Sequence, residues 1–363
     1  MKTNLLFAAA GLFMLSACNN QPSYTLHGTV PDTYPDGSQI YMLPIGGTDT
    51  LNTATIKYHS FTLKGPVQKV QECILMCNNG DQSLMGNLIL EEGEMHIKLH
   101  DMPETNNNAQ GTLLNDKYYN YQNEVLYNTT KKYQLKKLLL DPDLTEAKAD
   151  SLEKVYVENA RSFESMNAQT INENINNAFG VSVFAAVANL FKVEQQKEWL
   201  SQIPADLKDQ RIDNIQKQVE AIERSSVGQK YIDFTATSLE GKEVKLSEAM
   251  GQSKYTLIDF WASWCMPCRA EMPNVIKLYE KYHKQGFNVI GVSLDADENK
   301  WKQAVNDLKL PWFQLKTGKS GDPAALYAVT GIPTTILIDE NGVIIARKLR
   351  GEALQQKLEE LMK

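Results

Sequence analysis

The sequence predicts an α/β domain at its C-terminal end, preceded by a β-rich sheet or sandwich and then a helical segment. Two observations carry this reading. Apolar residues first come in short runs between turn residues, then take helical spacing, and finally alternate between strand and helix patterns. The length of 363 residues exceeds one small fold and suits two or three domains at roughly 150 residues each. Composition sets limits as well. With 42% apolar residues the chain can build packed cores, which excludes bulk disorder. A net charge of −7 offers no basic footprint for nucleic acid, so nucleic acid is not an expected partner.

Taken in order, residues 1–17 carry Lys2, an apolar run from Leu5 to Leu15, and the small residues Ser16 and Ala17. This is the grammar of a signal peptide, and the run is too short to cross a hydrocarbon layer, which takes about 20 apolar residues. Leu15-Ser16-Ala17-Cys18 resembles the lipobox of bacterial lipoproteins, in which the cysteine becomes the acylated first residue of the mature chain. That resemblance assigns Cys18 to lipidation and 18–23 to a lipidated tether. More than one acyl chain holds a protein on a membrane stably, where a single chain is marginal. No acidic cluster follows Cys18, which favours a periplasm-facing anchor in the cell envelope, on the outer membrane in preference to the inner. The alternative is an ordinary secreted protein with Cys18 near its cleavage site by chance.

Residues 24–110 read as short strands punctuated by Gly, Pro, Asn and Asp, hence an antiparallel sheet or sandwich. Within it Cys73 and Cys77 lie four apart in one predicted strand. At 3.3 Å per residue they stand about 13 Å apart, beyond the reach of a disulfide, and read as buried structural thiols. Residues 111–225 read as helices, with Leu152, Val155, Tyr156 and Ala160 on one face and breaks at Asp141-Pro142 and Pro204. From 226 to 363 the pattern is strand (Tyr255–Trp261), helix (Pro267–Tyr282), strand (Phe287–Leu294) and helix (Asn299–Leu308). Two strands then flank Glu340-Asn341-Gly342, a hairpin signal, and a helix closes the chain. A sheet with a parallel part and an antiparallel end follows.

Cys265-Met266-Pro267-Cys268 falls where the first of those strands gives way to its helix. Unpaired N–H groups and the macrodipole at a helix start favour negative charge, so a thiolate at Cys265 is stabilised there and makes the attacking group. Cys268, one turn on, can reach a mixed disulfide on Cys265 and resolve it. A zinc site would need two further ligands, and His283 stands alone in this segment, so no metal is expected.

Asp259-Phe260-Trp261-Ala262-Ser263-Trp264-Cys265-Met266-Pro267-Cys268 resembles the thioredoxin-fold active site. Its continuation Arg269-Ala270-Glu271-Met272-Pro273 resembles the TlpA/ResA branch of periplasmic thiol-disulfide oxidoreductases. The resemblance covers about 228–363. Gly331-Ile332-Pro333-Thr334 is similar to the cis-proline loop of that family, which implies a cis bond at Pro333 and a substrate-docking edge at Ile332 and Pro333. Trp264 would shape the same groove, and Trp261 reads as core. Asp259, on a strand expected to be buried, should have a raised pKa and could take the proton from Cys268. Glu271 is either a second acid beside the cysteines or a solvated helix residue. Thioredoxins keep a lysine near the buried acid; the matching position here is Gly291, so which acid moves the proton stays open.

The order of parts is similar to thioredoxin-family lipoproteins of Bacteroidetes-type bacteria, whose β-rich portion resembles the DUF4369 family. The resemblance implies a protein-disulfide oxidoreductase, a reductase in preference to an oxidant, with no dissociable cofactor. Its partners would be a disulfide-bearing or thiol protein substrate and a membrane thiol-disulfide conduit as electron donor. Two alternatives remain. A thiol peroxidase of the related AhpC/TSA group would place its nucleophile in a P-x-x-x-T/S-x-x-C context, which is absent here. A binding lipoprotein would use the redox domain only as an accessory. His96 and His100 lack the Glu of a zinc-helix motif, Gly318-Lys319-Ser320 lacks the leading glycine of a P-loop, and Lys131, Lys132, Lys136 and Lys137 read as a solvated face.

Overall fold

The computed structural model describes residues 21–363 apart from 80–81, 103–104 and 319–321. The expected signal peptide, Cys18 and half of the expected tether, and Lys319-Ser320, therefore lie outside the described residues. No helix of the described residues is long and apolar enough to cross a membrane. The chain divides into two compact units: 1–190 with 201–209, and 191–200 with 210–363.

Among the described residues the first unit holds seven strands: β1 (Ser23–Thr29), β2 (Gln39–Pro44), β3 (Asn52–Thr55), β4 (Ser60–Pro66), β5 (Gln71–Asn79), β6 (Gln82–Leu90) and β7 (Gly93–Lys98). They form a three-stranded sheet in the order β4-β1-β7 and a four-stranded sheet in the order β3-β2-β5-β6. Alternate residues of both sheets, among them Leu26, Leu63, Met95, Ile40, Leu75 and Leu88, meet in one core, so the segment is a sandwich. One pairing departs from the antiparallel expectation. β1 and β7 run parallel, with Leu26 beside Met95. A parallel pair needs a long crossover, and the five strands between β1 and β7 supply it. Cys73 and Cys77 point into the core from β5 beside Leu75; both are free thiols, and burial pushes the Cys73 thiol up to about 12, so it is inert as a nucleophile at neutral pH.

The long helices described in this unit are α1 (Leu113–Leu139), α2 (Glu146–Asn174) and α3 (Ala178–Val187). The expected apolar face of α2 is corrected in part: Leu152 and Tyr156 are half-buried, Val155 and Ala160 are exposed, and the buried positions are Asn159, Asn167, Ile171 and Asn174. The seam with α1 is polar. Tyr121 donates its hydroxyl to Asn167 Oδ1 (2.6 Å), and Asn159 Nδ2 donates to the carbonyl of Asn128 (3.2 Å). Hydrogen bonds in place of apolar contacts explain why helical hydrophobic spacing finds only part of the buried face. Nor is the helical segment a separate body. Asn115 of α1 pairs both backbone groups of Ile89 on β6, and Tyr118 donates to Glu72 of β5 (2.8 Å), which ties α1 to the sandwich.

The last two helices of that segment, α4 (Val193–Gln202, most of it) and α5 (Gln210–Arg224), belong to the second unit, where Lys197 pairs with Glu223 and Arg347 donates to Ser225 just beyond α5. There β8 (Thr235–Ser238), β9 (Glu243–Lys245), α6 (Leu246–Met250), β10 (Tyr255–Trp261), α7 (Met266–Tyr282), β11 (Phe287–Ser293), α8 (Glu298–Asp307), β12 (Phe313–Lys316), α9 (Pro323–Leu326), β13 (Thr334–Asp339), β14 (Ile344–Arg347) and α10 (Gly351–Leu361) follow in order. The sheet runs β14-β13-β10-β11-β12-β8-β9, with β10, β11 and β12 parallel and β13 and β14 antiparallel. This is the thioredoxin-like fold. Each face of the sheet has its own core. Leu257, Trp261 and Val289 pack with α7, α8 and α10, and Ile258, Phe260, Ile290 and Val292 pack with α6 and Tyr327. The pattern missed β8, β9 and β12, three- and four-residue strands too short and too polar to show alternation.

Candidate active site

β10 is buried along nearly its whole length, because it lies in the sheet interior between β11 and β13 with a core on each face. Beyond Trp261 the chain turns, and Cys265 N–H donates to the Ala262 carbonyl (3.1 Å) before α7 begins. Cys265 is the N-cap of α7, with Pro267 in the first turn, where a missing N–H costs nothing. Cys268 N–H donates to Cys265 Sγ (3.2 Å). The sulfur thus sits where a thiolate receives a backbone hydrogen bond and the positive end of the helix. The two cysteines are joined in a disulfide with Cα atoms 5.3 Å apart.

Trp264 and Met266 flank Cys265 at 65% and 73% exposure, so apolar surface borders an otherwise buried disulfide. The Ile332-Pro333 bond is cis, and Ile332 packs against the core cluster that holds both cysteines and Met272. The structure therefore brings Trp264, Cys265, Cys268, Ile332 and Pro333 to one end of the sheet.

Asp259 pairs in register with Gly291 on β11 and Thr335 on β13 and is 3% exposed. It shares the face of Leu257 and Trp261, toward α7. Burial pushes its pKa up to about 7, and the charge of Glu271 adds to the rise. Glu271 is not a solvated helix residue. It is half-buried, and its Oε1 accepts from the Gly351 N–H at the start of α10 (2.8 Å) and from Asn274 Nδ2 (2.8 Å). It thus caps α10 as well as acting on Asp259 through charge.

Sequence reasoning missed a clamp under the cysteine loop. Asp295 accepts from Ser263 N–H (2.9 Å), Ser263 Oγ (2.6 Å) and Ser293 Oγ (2.7 Å), all buried or partly buried. The signal was positional: Asp295 follows the C-terminal end of β11, parallel to β10, and ligand-handling residues gather at such strand ends. Asp295→Ala is expected to lower stability by about 3 kcal/mol, since it leaves a buried N–H and two hydroxyls without their acceptor. Disulfide-reduction turnover should fall with it, and a denaturant midpoint equal to wild type would contradict the clamp.

A buried strand delivering a dithiol to a helix start, a cis-proline loop beside it and a buried acid beneath define a thioredoxin-fold dithiol/disulfide protein. The comparisons narrow the class. Residues 227–347 match the AhpC/TSA family, and residues 24–118 match DUF4369, a domain of unknown function that runs into α1. Thiol-disulfide oxidoreductase ResA of Bacillus thuringiensis subsp. konkukian is 34% identical over 143 residues, 39% of this chain and 79% of that protein. ResA of Halalkalibacterium halodurans is 33% identical over 135 residues, 37% of this chain and 74% of that protein. Through its C-terminal domain the chain belongs to the ResA-like thiol-disulfide oxidoreductases. It is also similar to a solved thioredoxin domain of a thiol-disulfide oxidoreductase from Bacteroides vulgatus, at 34% identity, 38% of this chain, 99% of that one and a TM-score of 0.36. A thiol-disulfide oxidoreductase structure from Bacteroides fragilis is 35% identical, over 37% of this chain and 99% of that one, with a TM-score of 0.34.

Proposed function

We propose that this oxidoreductase is a lipid-anchored, periplasm-facing reductase of protein disulfides. The observation that carries the chemistry is the placement of Cys265 Sγ at the N-terminus of α7, with the Cys268 N–H bonded to it. In the dithiol form the Cys265 thiolate attacks one sulfur of a substrate disulfide. A Cys265–substrate S–S bond forms, the substrate S–S bond breaks, and the departing sulfur takes a proton. Cys268 gives its proton to Asp259 and attacks Cys265 Sγ, which expels the second substrate sulfur as a thiolate that takes a proton, and leaves the Cys265–Cys268 disulfide. Two electrons pass to the substrate.

A membrane thiol-disulfide conduit returns those electrons to the chain. Apolar Trp264, Met266 and Ile332 receive an extended substrate segment alongside Pro333. The anchor rests on Cys18 and the segment before it.

The test is to express Cys268→Ala in the native host, where the second step is blocked and mixed disulfides accumulate on Cys265. Recovery of nothing beyond a Cys265→Ala, Cys268→Ala control would remove the protein-disulfide reading. Cys18→Ala in the same experiment should move the chain from the membrane to the soluble fraction. The AhpC/TSA match favours a second reading, peroxide reduction, which predicts consumption of hydrogen peroxide with a thiol donor.

A further inference from the structure

Asp259, Gly291 and Gln314 occupy neighbouring positions on β10, β11 and β12. Paired residues point to the same face of a sheet, so the middle position, lacking a side chain, leaves a slot between the other two. Gln314 fills part of it. A Cβ on Gly291 would stand 2.3 Å from Gln314 Oε1 and 2.7 Å from Nε2, so the amide lies directly over this glycine. Its Oε1 accepts from Trp261 Nε1 (3.2 Å), which fixes the amide's orientation. Its Nε2 has no acceptor among the described residues, although Gln314 is 1% exposed. An unpaired buried donor is costly, and this one lies one strand from a buried acid on the same face.

We propose that Gln314 is a positioning residue for Asp259: its free amide N–H is turned toward the Asp259 carboxylate across the slot over Gly291, donates to it through one bridging water, and favours the ionised form. The inference rests on the reading of Asp259 as the proton acceptor. Asp259 has Gly291 of β11 and Thr335 of β13 beside it in register, and the charge of Glu271 on α7 acts on it. Burial raises the acid's pKa and the charge of Glu271 adds to the rise. Gln314 opposes it, so the two together keep the carboxyl near the pH at which it can both take and return a proton.

The test is a carbon NMR titration of carboxyl-labelled aspartate in the full chain, dithiol form, comparing wild type with Gln314→Leu. The Asp259 titration is expected to rise by about one pH unit, about tenfold in proton affinity, as for loss of one hydrogen bond to a charged group. Gly291→Ala, whose methyl group displaces the amide, should shift it in the same direction and serves if Gln314→Leu does not fold. A Gln314 that only holds the Trp261 indole would lower stability and leave the Asp259 titration in place. An unmoved titration in both variants overturns the proposal. Turnover of Asp259→Asn separately decides whether Asp259 is the proton acceptor.

Discussion

Cys265→Ser should lose disulfide-reduction turnover by roughly a thousandfold or more, because a hydroxyl at this helix start is not ionised and cannot form the mixed disulfide. Cys268→Ser should behave differently. It keeps the attacking sulfur and so forms the mixed disulfide, but lacks the group that releases it, giving one stoichiometric capture of a model disulfide substrate and no turnover. Insulin reduction with a chemical dithiol as donor reads the first variant, and mass spectrometry of the captured adduct reads the second. Substantial turnover in Cys265→Ser would place the attack elsewhere. The remaining described thiols are poor substitutes, since Cys73 and Cys77 are sealed in the sandwich core and burial raises both.

The second large effect is on stability. Asp259 has a folded pKa of about 7 against 3.8 for the exposed group, so between about pH 4 and 7 the folded chain binds a proton that the unfolded chain has released. Stability must then fall as pH rises through that window and level off above it. Below pH 4 both states are protonated and the acid exerts no pH-dependent penalty. Taken whole, the shift is worth on the order of 4 kcal/mol at pH 8. Asp259→Asn removes the titration, so the thioredoxin-like unit should be more stable than wild type at pH 8 by a few kcal/mol, with the advantage vanishing near pH 4. Thermal unfolding of the dithiol form across that range measures it. A variant that gains nothing at pH 8 would show that the carboxyl is better solvated than its burial implies. The same substitution should slow resolution by Cys268, so stability and activity move in opposite directions, as expected of a buried group kept for chemistry.

Much of the C-terminal domain was legible because its signals are local. The runs Tyr255–Trp261 and Phe287–Ser293 declare buried strands by continuous hydrophobicity, Asn341-Gly342 declares a hairpin, and the cysteine pair stands at a strand-to-helix junction that periodicity alone locates. The inward alternation of Cys73, Leu75 and Cys77 was equally visible. Other features depend on which strand lies beside which. Asp295 reaches Ser263 because β11 lies parallel to β10 and ends level with it, 32 residues away in sequence. Sequence leaves Glu271 either a second acid beside the cysteines or a solvated helix residue, and it is the N-terminus of α10 that engages its carboxylate.

The sequence by itself determined that a cysteine pair stands at the strand-to-helix junction of an α/β unit and that Asp259 is buried, since these follow from residue type, helix start and apolar pattern over a few residues. Only the tertiary structure decided that Gln314 lies over Gly291, that β1 and β7 run parallel, and that the helices of 111–225 divide between two units. The physical reason is common to all three. Cross-strand register and helix docking are settled by which surfaces bury against each other at long range, and polar contacts such as Tyr121 to Asn167 or Trp261 to Gln314 leave no periodic trace in the chain.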